Sequence, residues 1–521
     1  MASSKVITAR QAADLLQDGT TVGWTTAGLC GFAEDVAAAV EERFVETGSP
    51  KNIRLFHCCG CGDHKDRGTN HLGHEGLVTA VISGHIGEAP KVGALVNANK
   101  ATCHLLPQGV LTHQLRQMAG KKPGVLTKIG LGTFADPRLE GGKINSITTE
   151  DLVKVVEFEG EEYLYYKPFK IDVAIFRGST ADERGNVTMD REALFLEALA
   201  LASAVKNNGG MVIAQVEYLA KPFTLHPKSV KVPGVLVDYV VLAKPENHMQ
   251  TKKTQFNPAL CGESKVPLSG VPVLPLDERK VISRRAAMEL IPNSTLNLGI
   301  GMPDGVSSVA AEEGISDLFT MTTELGNFGG MPAGGPDFPS TYNSECTIEH
   351  PSMFDFYDGG GLSTCVLGLA QTDKEGNLNV SKFGTKVVGP GGFINISTSA
   401  RKVIFVGTMM AGAEYEIKDG QLKITKEGNI KKFVDKVTQV TFSGTYAAKA
   451  NKPVLYVTER AVFSLENGAM TLIEIAPGLD LEKDILAAMD FKPVIASPLK
   501  EMPREIFQEK WGKLKDIVTA K

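Results

Sequence analysis

Two segments of the chain share one pattern, IDVAIFRGSTADERGNVT (Ile171–Thr188) and STCVLGLAQTDKEGNLNV (Ser363–Val380). Each begins with an apolar run of strand length, passes through polar residues into Asp-x-x-Gly-Asn, and ends in β-branched or aliphatic residues. Apolar runs on both sides of a polar turn that contains glycine are typical of a hairpin-like return. The pattern therefore predicts that one structural unit occurs twice in this chain.

The beginnings of the two units also correspond. VITARQAADLL starts at Val6 and VISRRAAMELI starts at Val281, and the strand-like segments TTVGW and STLNLG follow them. Thr8 and Ser283 occupy equivalent positions in these openings. Because threonine and serine are favoured at helix N-caps, we expect each of them to cap an amphipathic helix.

The length and the proline distribution predict two domains. A chain of 521 residues is too long for one ordinary core. The segment between the units contains five prolines and no sustained periodicity, so we predict an amino-terminal half at 1–242, a linker at 243–279 and a carboxyl-terminal half at 280–521. Apolar strands such as GMVIAQV alternate with helical stretches such as DVAAAVEERF. This alternation predicts an α/β fold with two related, open, mainly parallel-sheet domains in one chain.

Composition and charge exclude several function classes. The net charge is -5 and the pI is near 6.1, which gives no electrostatic footprint for nucleic acid. The start, MASSKVITARQAADLL, lacks the apolar region of an export signal, and the apolar stretch ALFLEALALASAV is short and carries Glu197. We therefore expect a cytoplasmic protein with neither nucleic-acid nor membrane partners.

The stretch HCCGCGDH, from His57 to His64, contains the ligand types that zinc prefers. Structural zinc sites usually draw a second ligand pair from elsewhere in the chain, and the five remaining cysteines are all single. The spacing favours small buried residues at the end of a strand, with zinc as the alternative. We interpret Asp63 and Arg67 in the same region as structural loop charges rather than ligands.

The second half contains four glycine-rich loops. They are GIGMPDG (Gly299–Gly305), ELGNFGG (Glu324–Gly330), YDGGGL (Tyr357–Leu362) and GPGGF (Gly389–Phe393). In open α/β sheets, ligands bind beyond the carboxyl ends of the strands, where such loops collect. The first loop resembles a dinucleotide-binding loop, but its G-x-G-x-x-x-G spacing makes that a weak signal. Ordinary tight turns remain an equal explanation for the glycine runs taken alone.

Several motifs together carry a family resemblance that covers the chain almost end to end. They are NLGIGMPDG, TTELGNFGG, FDFYDGGGL, GPGGFINIS and YVTERAVF in the second half, with LPQGVLTHQLR and GLGTFADPR in the first. The chain resembles the family I coenzyme A-transferases, and among them the acetate and propionate CoA-transferases whose two halves are fused. The resemblance implies the paired α/β fold of that family, a homo-oligomer, and Glu324 as the covalent nucleophile.

The chemistry that this resemblance implies is transfer of coenzyme A from a short-chain acyl-CoA to a short-chain carboxylic acid. An ionised glutamate attacks the acyl-CoA carbonyl, and the released CoA thiolate then attacks the resulting anhydride to give a glutamyl-CoA thioester. Coenzyme A is thus a substrate and a transient covalent adduct, and we expect no further cofactor and no metal ion. An acyl-CoA hydrolase on the same fold remains the alternative.

Each step of this reaction develops an oxyanion, which backbone N–H donors free of side chains can stabilise. The glycines expected around it are Gly391 and Gly392 as donors, and Gly359, Gly360 and Gly361 as the opposite wall.

Gln108, in the motif LPQG, matches a position where the family places a polar side chain near the substrate carboxylate, and a helix cap is the equal alternative. Leu325, Asn327, Phe328 and the CCGC stretch depart from many relatives in regions that could shape an acyl pocket. We expect short unbranched monocarboxylates such as acetate, propionate and butyrate as substrates. One methylene is worth only about 1–3 kcal/mol of discrimination, so the acyl preference stays open.

Overall fold

The computed structural model describes residues 5–267 and 273–521, which form two large sheets with helices packed on them. The strands of the first half are β1 (Val6–Ile7), β2 (Thr21–Trp24), β3 (Ile53–His57), β4 (Val78–Ser83), β5 (Thr102–Leu105), β6 (Val125–Thr127), β7 (Val153–Phe158), β8 (Glu161–Tyr166), β9 (Val173–Asp182), β10 (Val187–Thr188), β11 (Met211–Ala220), β12 (Val230–Val232) and β13 (Tyr239–Leu242).

The strands of the second half are β14 (Ser294–Leu298), β15 (Phe319–Thr322), β16 (Asn327–Phe328), β17 (Met331–Pro332), β18 (Thr341–Tyr342), β19 (Cys346–Thr347), β20 (Thr364–Gly368), β21 (Gln371–Thr372), β22 (Leu378–Asn379), β23 (Lys382–Phe383), β24 (Lys386–Val387), β25 (Lys402–Val406), β26 (Met410–Ala411), β27 (Glu414–Lys418), β28 (Gln421–Lys426), β29 (Ile430–Lys431), β30 (Val454–Val457), β31 (Ala461–Glu466), β32 (Ala469–Ile475) and β33 (Val494–Glu501). The helices are α1 (Ala9–Asp14), α2 (Glu34–Thr47), α3 (Pro90–Asn97), α4 (Gln108–Ala119), α5 (Ala198–Asn207), α6 (Glu278–Ala287), α7 (Gly305–Glu312), α8 (His350–Phe356), α9 (Phe393–Ser399), α10 (Gly444–Lys449) and α11 (Leu514–Thr519).

The first sheet is parallel along its whole main path, in the order β1-β13-β11-β9-β2-β3-β4-β5. Its central strands are buried, and every residue of β2 is buried. Parallel strands that are covered on both faces have continuous apolar sequences. For this reason apolar and polar residues do not alternate in IDVAIF and GMVIAQV.

The second sheet has the order β19-β16-β15-β14-β20-β25-β30-β31-β32-β33. The five strands from β15 to β30 are parallel to one another, and antiparallel pairs flank them. The predicted α/β fold with two open, mainly parallel sheets is therefore confirmed. The division at 1–242, 243–279 and 280–521 stays a prediction, with the first sheet spanning Val6–Leu242 and the second spanning Ser294–Glu501.

The two Asp-x-x-Gly-Asn turns have the same hydrogen bonds. Asp182 accepts from the backbone N of Asn186 at 2.9 Å and from its side chain at 2.8 Å. Asp373 accepts from the backbone N of Asn377 at 3.0 Å and from its side chain at 3.2 Å. In both halves an antiparallel strand pair follows from the turn, β9 with β10 and β21 with β22, which confirms the hairpin-like return.

The two predicted helix caps have different outcomes. Thr8 caps α1 in a capping box, with its side chain accepting from Gln11 N at 3.1 Å. The prediction for Ser283 is wrong. α6 begins directly after Asp277, whose side chain accepts from Lys280 N at 2.9 Å, so Ser283 lies buried inside the helix. Aspartate is an equally good N-cap, and here it extends the helix towards its amino end.

None of the helices in residues 5–267 and 273–521 combines the length and the apolar character needed to cross a bilayer.

The two halves meet where α4 of the first packs on α8 and α9 of the second. Gly109 N donates to Asn395 Oδ1 at 3.0 Å, and a Cβ added at Gly109 would lie 2.5 Å from the Phe354 ring and 2.4 Å from the Asn395 amide nitrogen. Farther along α4, Arg116 forms an ion pair with Asp355. The missing side chain at Gly109 therefore permits the close approach of the halves.

This packing predicts opposite effects of two Gly→Ala changes in helices. Gly93→Ala in α3 should raise the melting temperature, because no atom of the described residues lies within 4 Å of the added Cβ and alanine favours a helix by about 1 kcal/mol. Gly109→Ala should lower it, because overpacking costs about 1–3 kcal/mol. Thermal unfolding of both variants beside the parent protein tests this, and stabilisation by Gly109→Ala would contradict the close approach.

Candidate active site

Glu324 lies at the tip of the turn that joins β15 to β16. Thr322 pairs with Phe328 across this antiparallel turn, and Thr323 N donates to Asn327 O at 3.0 Å. A Cβ at Gly326, which has a φ of 122°, would lie 2.1 Å from Ile348 O, so the turn requires glycine there. The turn projects from the carboxyl end of β15, the edge of a parallel sheet where ligands bind.

The side chain of Glu324 lies against the backbone of Gly392. A Cβ added at Gly392 would be 3.2 Å from Glu324 Cγ, so the missing side chain makes room beside the carboxylate. Burial raises the pKa of Glu324, and the backbone N–H of Glu324 and the Asn297 amide offset part of that rise. The site thus holds a half-buried carboxylate that is harder to ionise than an exposed one.

Gln108 reaches the same place from the first half. It is the first residue of α4, is buried, and donates from its backbone N to Gly391 O at 3.1 Å. Its side chain caps no helix but lies with Nε2 at 2.9 Å from His350 Nε2. The capping alternative is therefore wrong, and the structure brings Gln108, Gly391, Gly392 and Glu324 together.

The two candidate oxyanion donors differ in availability. Gly391 N already donates to Gly84 O at 2.8 Å, because the GPGGF loop packs on the loop after β4. Within 5–267 and 273–521, by contrast, the N–H of Gly392 donates no hydrogen bond. Of the pair, Gly392 has the amide that a ligand can use.

The glycines at 359–361 lie elsewhere. They precede the amino end of β20, where Gly361 O accepts from Thr295 Oγ1 at 2.5 Å and Gly360 O accepts from Arg401 Nε at 3.2 Å. Because β20 and β15 run in the same direction, the chain enters β20 at the edge opposite to Glu324. This corrects the expectation that Gly359, Gly360 and Gly361 form the opposite wall of the site.

The CCGC stretch divides between the core and the site. Cys58 and Cys61 are buried in the core of the first half, whereas Cys59 packs against a cluster that contains Leu325 and Leu196. Burial raises the pKa of the Cys59 thiol, and the charge of Glu324 raises it further. In the described parts of the chain, no group of three or more His, Cys, Asp or Glu side chains is placed to hold a metal ion.

The contacts of Asp63 and Arg67 fit their interpretation as loop charges. Asp63 Oδ1 accepts from Lys65 N at 2.9 Å and from Arg67 N at 3.0 Å. The Arg67 guanidinium lies 3.4 Å from Glu34. Both side chains therefore hold the loop after β3 in place.

Two residues beside the site were missed in the sequence. His350 contacts Gln108, and Glu197 contacts His350 with 2.7 Å between Oε2 and Nδ1. The signal for Glu197 was a charge inside the apolar run ALFLEALALASAV. His350 offered no comparable signal, since a single histidine before Pro351 at the start of α8 belongs to no motif.

The site combines a half-buried carboxylate, a free glycine amide and polar groups from both halves at the edges of mainly parallel sheets, an arrangement suited to acyl transfer. Residues 6–243 match the family model for coenzyme A transferase, and the chain belongs to this family. It is a CoA-transferase.

Two relatives and one solved structure extend this result. The chain is 54% identical over 521 residues to the caffeate CoA-transferase of Acetobacterium woodii, covering 99% of both chains. It is 43% identical to the acetate CoA-transferase YdiF of Escherichia coli K12, covering 96% of this chain and 95% of that protein. The acyl-CoA transferase YdiF of E. coli O157:H7, solved as a thioester complex with CoA, superposes with a TM-score of 0.91 at 41% identity, covering 98% and 97% of the two chains.

The raised pKa of Glu324 predicts the pH dependence of CoA transfer. A carboxyl group attacks only when ionised, so with Glu324 as the nucleophile the activity should fall, as the pH drops, at a higher pH than an ordinary glutamate would give. Asn297→Ala should move this fall to still higher pH, because it removes a group that lowers the pKa of Glu324.

The measurement is kcat/KM against pH for both proteins. Tyr357→Phe is the matched control, because it removes a hydroxyl from the same hydrogen-bond network without removing the Asn297 amide. If kcat/KM falls at the same pH in Asn297→Ala as in the parent protein, the fall does not report the ionisation of Glu324.

Proposed function

We propose that Glu324 is the covalent nucleophile of this CoA-transferase and carries CoA as a glutamyl thioester. The observation that carries the proposal is the placement of the Glu324 carboxylate against the bare backbone of Gly392 at the carboxyl end of β15. Support also comes from the solved YdiF structure, a thioester complex with CoA that is 41% identical to this chain. The missing side chain at Gly392 leaves room beside the carboxylate for a reacting group.

The reaction proceeds through two intermediates on the same side chain. The Glu324 carboxylate attacks the acyl-CoA carbonyl, the carbon–sulfur bond breaks, and CoA leaves as a thiolate, so that a mixed anhydride of the acyl group and Glu324 remains. The thiolate attacks the glutamyl carbonyl and expels the first acid as its carboxylate, which leaves glutamyl-CoA. An incoming carboxylate reverses both steps and takes the CoA. No net oxidation occurs, and the energy of the thioester is conserved.

The neighbours of Glu324 take distinct roles in this proposal. The Gly392 N–H stabilises the oxyanion that develops at each tetrahedral step. Gln108, which lies between Gly391 and His350, orients the carboxylate of the bound acid. The Gly391 N–H keeps its bond to Gly84 and holds the loop in place rather than contacting the substrate.

For the acid we propose the short unbranched class of acetate, propionate and butyrate, which agrees with the name of the YdiF relative. Half-buried Cys59 and buried Leu325 give apolar walls near the nucleophile. A second candidate is an aromatic propenoic acid, because the relative that is 54% identical is a caffeate CoA-transferase. Lys252, which contacts the Gly28 loop, is paired with Glu88 and is not free for the second carboxylate of a dicarboxylic acid.

We also infer that the protein is a cytoplasmic homo-oligomer and that it needs no cofactor beyond CoA. The eight cysteines are free thiols in the described structure, which fits a reducing compartment.

The mechanism predicts charging of the enzyme by acyl-CoA in the absence of an acceptor. Free acid should be released in an amount limited by active sites, and hydroxylamine should inactivate the charged enzyme but not the resting one. Glu324→Ala should abolish charging and transfer. Glu324→Asp should retain about 1% of the activity, because the attacking oxygen moves by about 1 Å.

The matched control is Glu345→Ala, which removes an exposed glutamate next to the end of β16 and should charge normally. Peptide mapping of the labelled protein locates the adduct. A label on Cys59, or near-parent exchange by Glu324→Ala, contradicts the proposal. Stoichiometric loss of thioester over many turnovers without acceptor would identify the hydrolase alternative.

The acid class is tested by an acceptor panel against acetyl-CoA. Propionate and butyrate should be accepted with kcat/KM at least about tenfold above succinate and caffeate, since a mismatched acid costs more than about 1.4 kcal/mol. Caffeate ahead of propionate would select the aromatic candidate, and succinate ahead of propionate would contradict both.

A further inference from the structure

A chain of three buried polar side chains crosses the boundary between the halves beside Glu324. Glu197 Oε2 lies 2.7 Å from His350 Nδ1, and His350 Nε2 lies 2.9 Å from Gln108 Nε2. The relative exposures of Glu197, His350 and Gln108 are 1%, 0% and 1%, so water does not compete for these bonds. Glu197 and Gln108 come from the first half, and His350 comes from the second.

The donor and acceptor types of its two neighbours determine which ring nitrogen of neutral His350 carries the proton. An amide nitrogen can only donate, so His350 Nε2 accepts from Gln108 and carries no proton. The proton of the neutral imidazole is then on Nδ1, where it is donated to the Glu197 carboxylate. Glu197 therefore fixes the tautomer that Gln108 requires.

The backbone holds the two supporting residues in place. His350 N donates to Leu196 O at 3.0 Å, which ties the first residue of α8 to the residue before Glu197. The Phe354 ring packs on the imidazole with 5.3 Å between ring centroids. Gln108 in turn faces the loop at Gly391, with its Oε1 at 3.6 Å from the position of a Cβ there.

Stability does not account for Glu197. Within the described residues, its second oxygen, Oε1, is buried and has no hydrogen-bond partner. A buried carboxylate with an unpaired oxygen costs folding free energy, and an apolar residue would fill the same place at lower cost. Its use must therefore lie in what it does to His350.

We propose that Glu197 and His350 are positioning residues that hold the Gln108 amide in the orientation needed for transfer at Glu324. This inference rests on the proposed function of Glu324 and assigns roles to two residues that do not touch the reacting atoms. The bonds also make the geometry of the site depend on docking of the halves.

The test is a double-mutant cycle on kcat/KM for the acceptor acid, with Gln108→Ala, His350→Phe and the double variant. Each single change should lower kcat/KM by about 10- to 100-fold, since small misplacements of a positioned group cost that much. The double variant should match the worse single variant within about twofold, because His350 acts through Gln108. Effects that multiply overturn the proposal.

Arg116→Ala is the matched control for docking of the halves. Arg116 also joins α4 to α8, with 2.6 Å between its Nη2 and Ser352 Oγ, but it does not contact Gln108. It should leave kcat/KM within about twofold of the parent and combine additively with Gln108→Ala. If Arg116→Ala reproduces the effect of His350→Phe, the role of His350 is general docking and the proposal is wrong.

His350→Gln supplies a second measurement that does not depend on whether the His350→Phe variant folds. The glutamine oxygen can accept from Gln108, as His350 Nε2 does, whereas phenylalanine cannot, so His350→Gln should keep most of the activity that His350→Phe loses. A loss in His350→Gln as large as that in His350→Phe overturns the proposal. Absence of glutamyl-CoA in the parent enzyme would instead refute the proposed function itself, so the two failures are distinguishable.

Discussion

The close approach of α4 to α8 and α9 is the contact on which the site depends. It is possible because Gly109 has no side chain where the Phe354 ring and the Asn395 amide arrive. The same three helices begin at or next to Gln108, His350 and Gly392. Packing the helices therefore brings their first residues together around Glu324, and two sheets without a shared strand form one site.

The chemistry of the site follows from how poorly its carboxylate is solvated. Glu324 and Glu459 both have a pKa raised by burial. Glu459 is fully buried, and it accepts from Met409 N at 3.0 Å and from the hydroxyl of Tyr415. Glu324 remains partly exposed beside a free glycine amide. A well-bonded buried carboxylate supports a loop, whereas a desolvated and accessible one is available to react.

Local patterns accounted for much of the fold. Continuous apolar runs predicted the parallel strands, and the Asp-x-x-Gly-Asn turns and the Thr8 cap formed as expected, because each depends on residues within four positions of one another. The failure at Ser283 was also local. Asp277, six residues earlier, is an equally suitable N-cap. The helix begins there because its first turn also packs against the protein, and Ser283 is then buried inside it.

The sequence by itself determined the class of fold and the doubled unit and marked Glu324 as the candidate nucleophile, since each is carried by a short motif. Only the tertiary structure decided which other groups stand beside that carboxylate. It placed Gly359, Gly360 and Gly361 at the far edge of the sheet and engaged the Gly391 amide with Gly84. It also joined His350 to Gln108 across 242 positions and to Glu197 across 153. Contacts over such separations arise from the packing of whole helices and sheets, which no short stretch of sequence specifies.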